Sequence, residues 1–143
     1  MDSILLRPSM LLSLYLFLTG WFAPLANRKL LSRLKQGKED ANRLDERRGI
    51  PSVNRPDGEL IWFHAASVGE SLSLLEVIDS LLEERPLTNI LITTGTKTSA
   101  DLISARISTR IIHQYIPIDV KPFVKTFLNH WKPDIAIFTE SEL

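Results

Sequence analysis

The stretch Leu60-Ile-Trp-Phe-His-Ala-Ala-Ser-Val-Gly-Glu70 passes from an apolar run rich in strand formers into a small, polar turn. Directly after it, Leu74, Val77, Ile78, Leu81 and Leu82 recur at helical spacing until Pro86. The passage therefore reads as strand, polar turn, helix. The same unit then repeats. Asn89–Thr93 is a second strand with a helix over Thr98–Arg106, and Ile111–Tyr115 a third with a helix over Val120–Trp131. Pro122 is tolerable there because the first helical turn needs no N–H donor. Asp134–Phe138 is a fourth strand. Strands that alternate with helices imply right-handed crossovers and a parallel sheet. Short, uninterrupted apolar strands fit a sheet covered on both faces. The expected class is α/β, a Rossmann-like half whose parallel sheet is flanked by helices.

Upstream the composition changes. Pro8 to Asn27 carries no charged side chain, and at about 1.5 Å per residue such a run just crosses roughly 30 Å of hydrocarbon. Trp21 and Phe22 sit near one end, where aromatic rings favour the headgroup boundary. Arg28, Lys29, Arg33, Lys35 and Lys38 follow with no acid until Glu39. Cations stay on the cytoplasmic side, so residues 1–27 are expected to be a membrane-anchor helix with the globular part cytoplasmic. Residues 28–58 read as a basic juxtamembrane helix and then a polar loop, Arg43–Gly58, punctuated by Gly49, Pro51, Pro56 and Gly58. Residues 59–143 form the expected Rossmann-like domain. Over the whole chain, 17 Lys and Arg balance 17 Asp and Glu, so only the distribution of charge is informative. The absence of cysteine excludes disulfides, thiolate metal sites and thiol nucleophiles. His64, His113 and His130 lack any metal-ligand spacing, so no metal and no cofactor are expected.

In sheets of this kind ligands bind beyond the carboxyl ends of the strands. Those ends read Ala65-Ala-Ser-Val-Gly-Glu70, Thr94-Gly-Thr-Lys-Thr98, Ile116-Pro-Ile-Asp119 and Thr139-Glu-Ser-Glu142. Each carries hydroxyls, glycine or carboxylate, so a site is expected on that rim. Glu70 has two compatible readings. With Ser67 three residues earlier it completes a capping box. At a helix N-terminus its carboxylate is also held ionised, as a general base requires. Gly69 would let a ligand approach the backbone closely. Thr93-Thr-Gly-Thr-Lys-Thr98 lacks the first glycine of a phosphate loop. Thr94, Gly95 and Thr96 could present N–H groups to an anion or sugar hydroxyl, or simply cap a helix. His64 could bond a ligand or a neighbouring backbone. Glu140 and Glu142, two apart, would face opposite ways if the strand continued, so one of them is expected to face the cleft.

These residues, taken in order, resemble a known family. The membrane segment, the basic belt, Arg48-Gly-Ile-Pro51, His64-Ala-Ala-Ser-Val-Gly-Glu70, Thr93-Thr-Gly-Thr96, Tyr115-Ile-Pro-Ile-Asp119 and Glu140-Ser-Glu-Leu143 are similar to the 3-deoxy-D-manno-octulosonic acid (Kdo) transferases of lipopolysaccharide synthesis. The resemblance implies the acceptor-binding half of a GT-B glycosyltransferase. Its reaction would move Kdo from CMP-Kdo to a lipid A precursor, lipid IVA, without a metal and without nucleic acid as a partner. It implies Glu70 as proton acceptor, Glu140 as stabiliser of the transition state and a place at the bacterial inner membrane. His64, Ser67, Gly69, Thr94, Gly95 and Thr96, read from the rim itself, are then the expected acceptor-binding residues. It also implies that this chain is an N-terminal fragment, inactive alone, with the donor domain elsewhere. A transferase of the same architecture with another sugar or lipid, or a non-catalytic glycolipid-binding membrane module, would share much of the pattern.

Overall fold

The computed structural model describes residues 10–106 and 108–139. Its strands are β1 (Leu60–Ala65), β2 (Asn89–Thr94), β3 (Ile111–Tyr115) and β4 (Ile135–Thr139). Its helices are α1 (Met10–Trp21), α2 (Ala23–Lys35), α3 (Val68–Glu84), α4 (Lys97–Ser104) and α5 (Lys121–Trp131), with a 3-10 helix over Ala41–Arg48. The strands make one parallel sheet in the order β3-β2-β1-β4. Each expected strand and crossover helix is present, shifted by a residue or two at its ends.

Successive strand residues point to opposite faces, and the core is divided accordingly. Ile61, Phe63 and Ala65 of β1 join Ile90 and Ile92 of β2 against Leu74, Ile78 and Leu82 of α3. Leu60, Trp62 and Leu91 meet Phe127 and Trp131 of α5 on the other side. The α3 stripe differs from expectation by one position: Leu75 is buried and Val77 is exposed. Leu74, Ile78 and Leu82 repeat every four residues, and Leu75 lies on the side of that row that faces the sheet. Helices thus cover both faces of the three strands β1 to β3. β4 departs from this, because Ile135, Ile137 and Phe138 stay exposed among the described residues.

The chain steps outward from β1 to β2 to β3 and then returns to the far side of β1 for β4. Strand order reverses between β1 and β4. In sheets of this kind that reversal is where a ligand is expected, beyond the carboxyl ends of the two strands.

The N-terminal segment requires a correction. The expected anchor helix is interrupted: α1 ends at Trp21, and α2 begins at Ala23 with Pro24 in its first turn. Proline has no N–H to extend a preceding helix but suits the start of a new one. The 12 residues of α1 span only about 18 Å at 1.5 Å each. Among the described residues no helix is long and apolar enough to cross a membrane. α1 and α2 instead pack on α5, and the Tyr15 hydroxyl donates to Asp119 at 2.6 Å. Residues 1–9 lie outside the described residues.

Part of the expected polar loop is also ordered. Asp40 caps the 3-10 helix by accepting from Asn42 N at 2.9 Å, and Gly49 ends it in the left-handed region at φ 80°. A Cβ at Gly49 would lie 2.0 Å from the Phe123 carbonyl oxygen of α5. Only glycine satisfies both the backbone angle and that approach.

Candidate functional site

Two neighbouring clusters occupy the rim. The first lies at the carboxyl ends of β1 and β4, where strand order reverses. β1 delivers His64 and then turns through Ala66 and Ser67 into α3. The Ser67 hydroxyl accepts from Glu70 N at 3.2 Å, while Glu70 Oε2 accepts from Ala66 N at 2.8 Å and Ser67 N at 3.3 Å. The expected capping box is therefore formed. It does more than close the helix, since two backbone donors fix the carboxylate just beyond the carboxyl end of β1. Gly69 is exposed beside it, and an added Cβ would meet nothing within 4 Å. That leaves the first turn of α3 open to approach.

His64 is half-buried, with Nδ1 at 3.1 Å from Thr93 O and 3.0 Å from Thr93 Oγ1. A carbonyl only accepts, so Nδ1 carries the proton in the bond to Thr93 O. Phe138 of β4 packs against the ring at 5.7 Å between centroids. From the neighbouring strand β4, Thr139 Oγ1 donates to His64 O at 2.9 Å. Glu140 and Glu142 lie outside the described residues.

The second cluster follows β2 and β3. Thr94 faces inward, fully buried, its hydroxyl 2.9 Å from His113 Nε2. Thr96 caps α4 by accepting from Ser99 N at 3.2 Å. Gly95 remains at the surface of the loop between them. Of the expected threonine–glycine set, the structure thus turns one hydroxyl into the fold and ties another to a helix start. Ala65 pairs with Thr94 on one side and Thr139 on the other, so the two clusters are one strand apart.

Sequence reasoning missed what joins them to the N-terminal segment. Arg47 is buried, donating through Nε to Glu39 at 2.9 Å, through Nη1 to Ile116 O at 3.2 Å, and through Nη2 to Gly95 O. Glu39 also accepts from Arg33 Nε at 2.6 Å. One guanidinium therefore clamps the loops after β2 and β3. Glu46 Oε2 accepts from Tyr115 N at 2.8 Å, closing the open side of β3 with a carboxylate. Arg43 and Arg47 both stack over the Tyr115 ring, 4.7 Å from its centroid. The only hint in the sequence was the Arg48-Gly-Ile-Pro51 motif that follows them. Among the described residues no three His, Asp or Glu side chains are grouped to hold a metal ion.

Residues 42–143 match the family described as 3-Deoxy-D-manno-octulosonic-acid transferase (kdotransferase). The chain belongs to this family. It is 41% identical over 133 residues to a 3-deoxy-D-manno-octulosonic acid transferase of Rickettsia bellii, covering 93% of this chain and 32% of that protein. It is 38% identical over 130 residues to a probable mitochondrial 3-deoxy-D-manno-octulosonic acid transferase of Arabidopsis thaliana, covering 91% of this chain and 29% of the relative. With the Haemophilus influenzae transferase it shares 32% identity over 102 residues, 71% of this chain and 24% of the other. The chain thus spans about a third or less of the length of these Kdo transferases. No solved structure matches it. The Kdo transferase match covers the 3-10 helix from its second residue, both rim clusters and Glu140.

Proposed function

We propose that this chain is the acceptor-side half of a Kdo transferase that moves Kdo from CMP-Kdo to a lipid A precursor, with Glu70 as general base. The observation that carries the reading is the Glu70 carboxylate, held by the Ala66 and Ser67 N–H groups at the point where strand order reverses. In the proposed step Glu70 takes the proton of an acceptor hydroxyl. The freed oxygen forms a bond to the anomeric carbon of Kdo, and the bond to CMP breaks. Positive partial charge at the start of α3 favours the ionised carboxylate before the step.

Glu140 is assigned to stabilising the transition state. It follows Thr139, whose hydroxyl donates to His64 O on the neighbouring strand. His64, Ser67, Gly69, Gly95 and Thr96 are assigned to the acceptor side, with Thr94 acting through the fold beneath them. CMP-Kdo is assigned to the part of the relatives that this chain does not span. The inner face of a bacterial inner membrane is the proposed location, supported by the exposed apolar residues of α1 and the basic belt that follows.

The reading is tested in a chimera in which this chain replaces the matching third of the Rickettsia bellii relative. Glutamine at position 70 can still accept the Ser67 N–H but cannot take a proton. Glu70→Gln should retain the melting temperature to within the effect of a cap, about 1 kcal/mol, and lose about 10²–10⁴ in turnover. Near-normal Kdo transfer with a lowered melting temperature would return Glu70 to a purely structural role.

A further inference from the structure

A cavity of about 400 Å³ lies at the same carboxyl end of the sheet, roofed by α2 and floored by the loops after β2 and β3. Three of its lining residues are cations, Lys29, Arg33 and Arg47, and one is an anion, Glu39, a surplus of two positive charges. Glu39 is buried and shared by Arg33 and Arg47. Arg47 is further occupied by two carbonyls. Lys29 is exposed at the mouth and makes no ion pair among the described residues. The remaining walls, including Ala26, Leu30, Ile116 and Pro117, are apolar.

We propose that this cavity binds the phosphomonoester of a phosphorylated glycolipid, with Lys29 and Arg33 on the phosphate and the apolar walls against the part of the lipid next to it. The inference deepens the acceptor-side reading above and rests on it. Charge selects the group: a phosphomonoester carries about −1.5 to −2 at neutral pH, matching the surplus, whereas a carboxylate would leave half of it uncompensated. Size and polarity select the molecule. A free phosphate would leave most of the apolar wall without a partner, while the volume falls in the range of small-ligand pockets, about 300–1,000 Å³. Position fits as well. Gly95 follows the strand partner of Ala65, and Ile116 follows β3, one and two strand spacings from β1, or about 5 and 10 Å. One acceptor with a hydroxyl at the end of β1 can then reach the cavity floor at Gly95 with a phosphate on its sugars.

The test is equilibrium binding by the 143-residue chain in detergent micelles. The probes are a bisphosphorylated, acylated glucosamine disaccharide, its dephosphorylated counterpart, and inorganic phosphate. Dephosphorylation should weaken binding by about tenfold or more. Lys29→Glu should abolish most of that preference, while Lys35→Glu, exposed on the same helix but outside the cavity, should leave it in place. Ala26→Phe fills the cavity without changing charge and should weaken the phosphorylated lipid, with circular dichroism verifying the fold. Equal binding of the two lipids, or equal losses from Lys29→Glu and Lys35→Glu, overturns the site. Inorganic phosphate binding as tightly as the lipid overturns the lipid assignment. No sugar transfer enters the measurement, so failure here leaves the Glu70 test standing, and failure of that test leaves this one.

Discussion

His113 is buried on the α3 face of β3, 2.9 Å from Arg43 Nη2 through Nδ1 and 2.9 Å from Thr94 Oγ1 through Nε2. Arginine only donates, so Nδ1 accepts and the ring is neutral with its proton on Nε2. Burial, then the nearby charges of Arg43 and Arg47, push its pKa from 6.5 down to about 3. Between those values the unfolded chain takes up a proton that the folded ring refuses. Stability is therefore complete above pH 6.5 and is lost as pH falls toward 3. At about 1.4 kcal/mol per unit inside that window, the loss from pH 7.5 to 5 is about 2 kcal/mol. His113→Gln keeps an amide that can accept from Arg43 and donate to Thr94 but does not titrate. Urea midpoints should therefore fall more steeply for the parent than for the variant, and parallel curves would disprove the assignment. This network was not legible in the sequence. The Ser67–Glu70 box was, because its partners are three residues apart and their chemistry is local. Arg43 and His113 are 70 positions apart, and nothing in either residue's neighbourhood names the other.

At the scale of elements, period and composition were enough wherever one face of a segment is apolar. β1, β2, β3 and the helices between them carried that signal, whereas the order β3-β2-β1-β4 is set by long-range pairing that periodicity does not register. Two elements escaped. The 3-10 helix is almost wholly polar, Ala-Asn-Arg-Leu-Asp-Glu-Arg-Arg, so hydrophobic periodicity has nothing to detect. It is held instead by buried ion pairs. The break between α1 and α2 escaped because apolar length was read without giving Pro24 its full weight. The role of the 3-10 helix as a clamp can be measured at Arg47. Arg47→Met leaves Glu39 buried with Arg33 as its remaining partner and should cost about 3 kcal/mol in chemical denaturation. The double variant Arg47→Met, Glu39→Leu removes the orphaned charge and should recover much of that loss. Strictly additive losses would mean that the pair does not act as a unit.

On the scale of the whole molecule, α1 presents Met10, Leu11, Leu14, Phe17 and Trp21 outward, and Phe22 and Leu25 extend that apolar surface onto α2. Tyr15 ties α1 to Asp119 in the loop after β3. Arg28, Lys29, Lys35 and Lys38 follow immediately. A short apolar helix beside a cationic one is the arrangement of interfacial attachment, which predicts binding at bilayer surfaces. The two contributions separate experimentally. Each cation near an anionic surface adds about 1 kcal/mol and is screened by salt, whereas apolar insertion is not. In vesicle flotation the chain should bind neutral vesicles and bind anionic ones more strongly. Raising salt to about 1 M, where the screening length falls to about 3 Å, should erase the difference but not the binding. Removing residues 1–22 should leave attachment to anionic vesicles alone, and salt should then release it. If salt releases the intact chain completely, α1 does not enter the bilayer, and its exposed apolar face needs a protein partner instead.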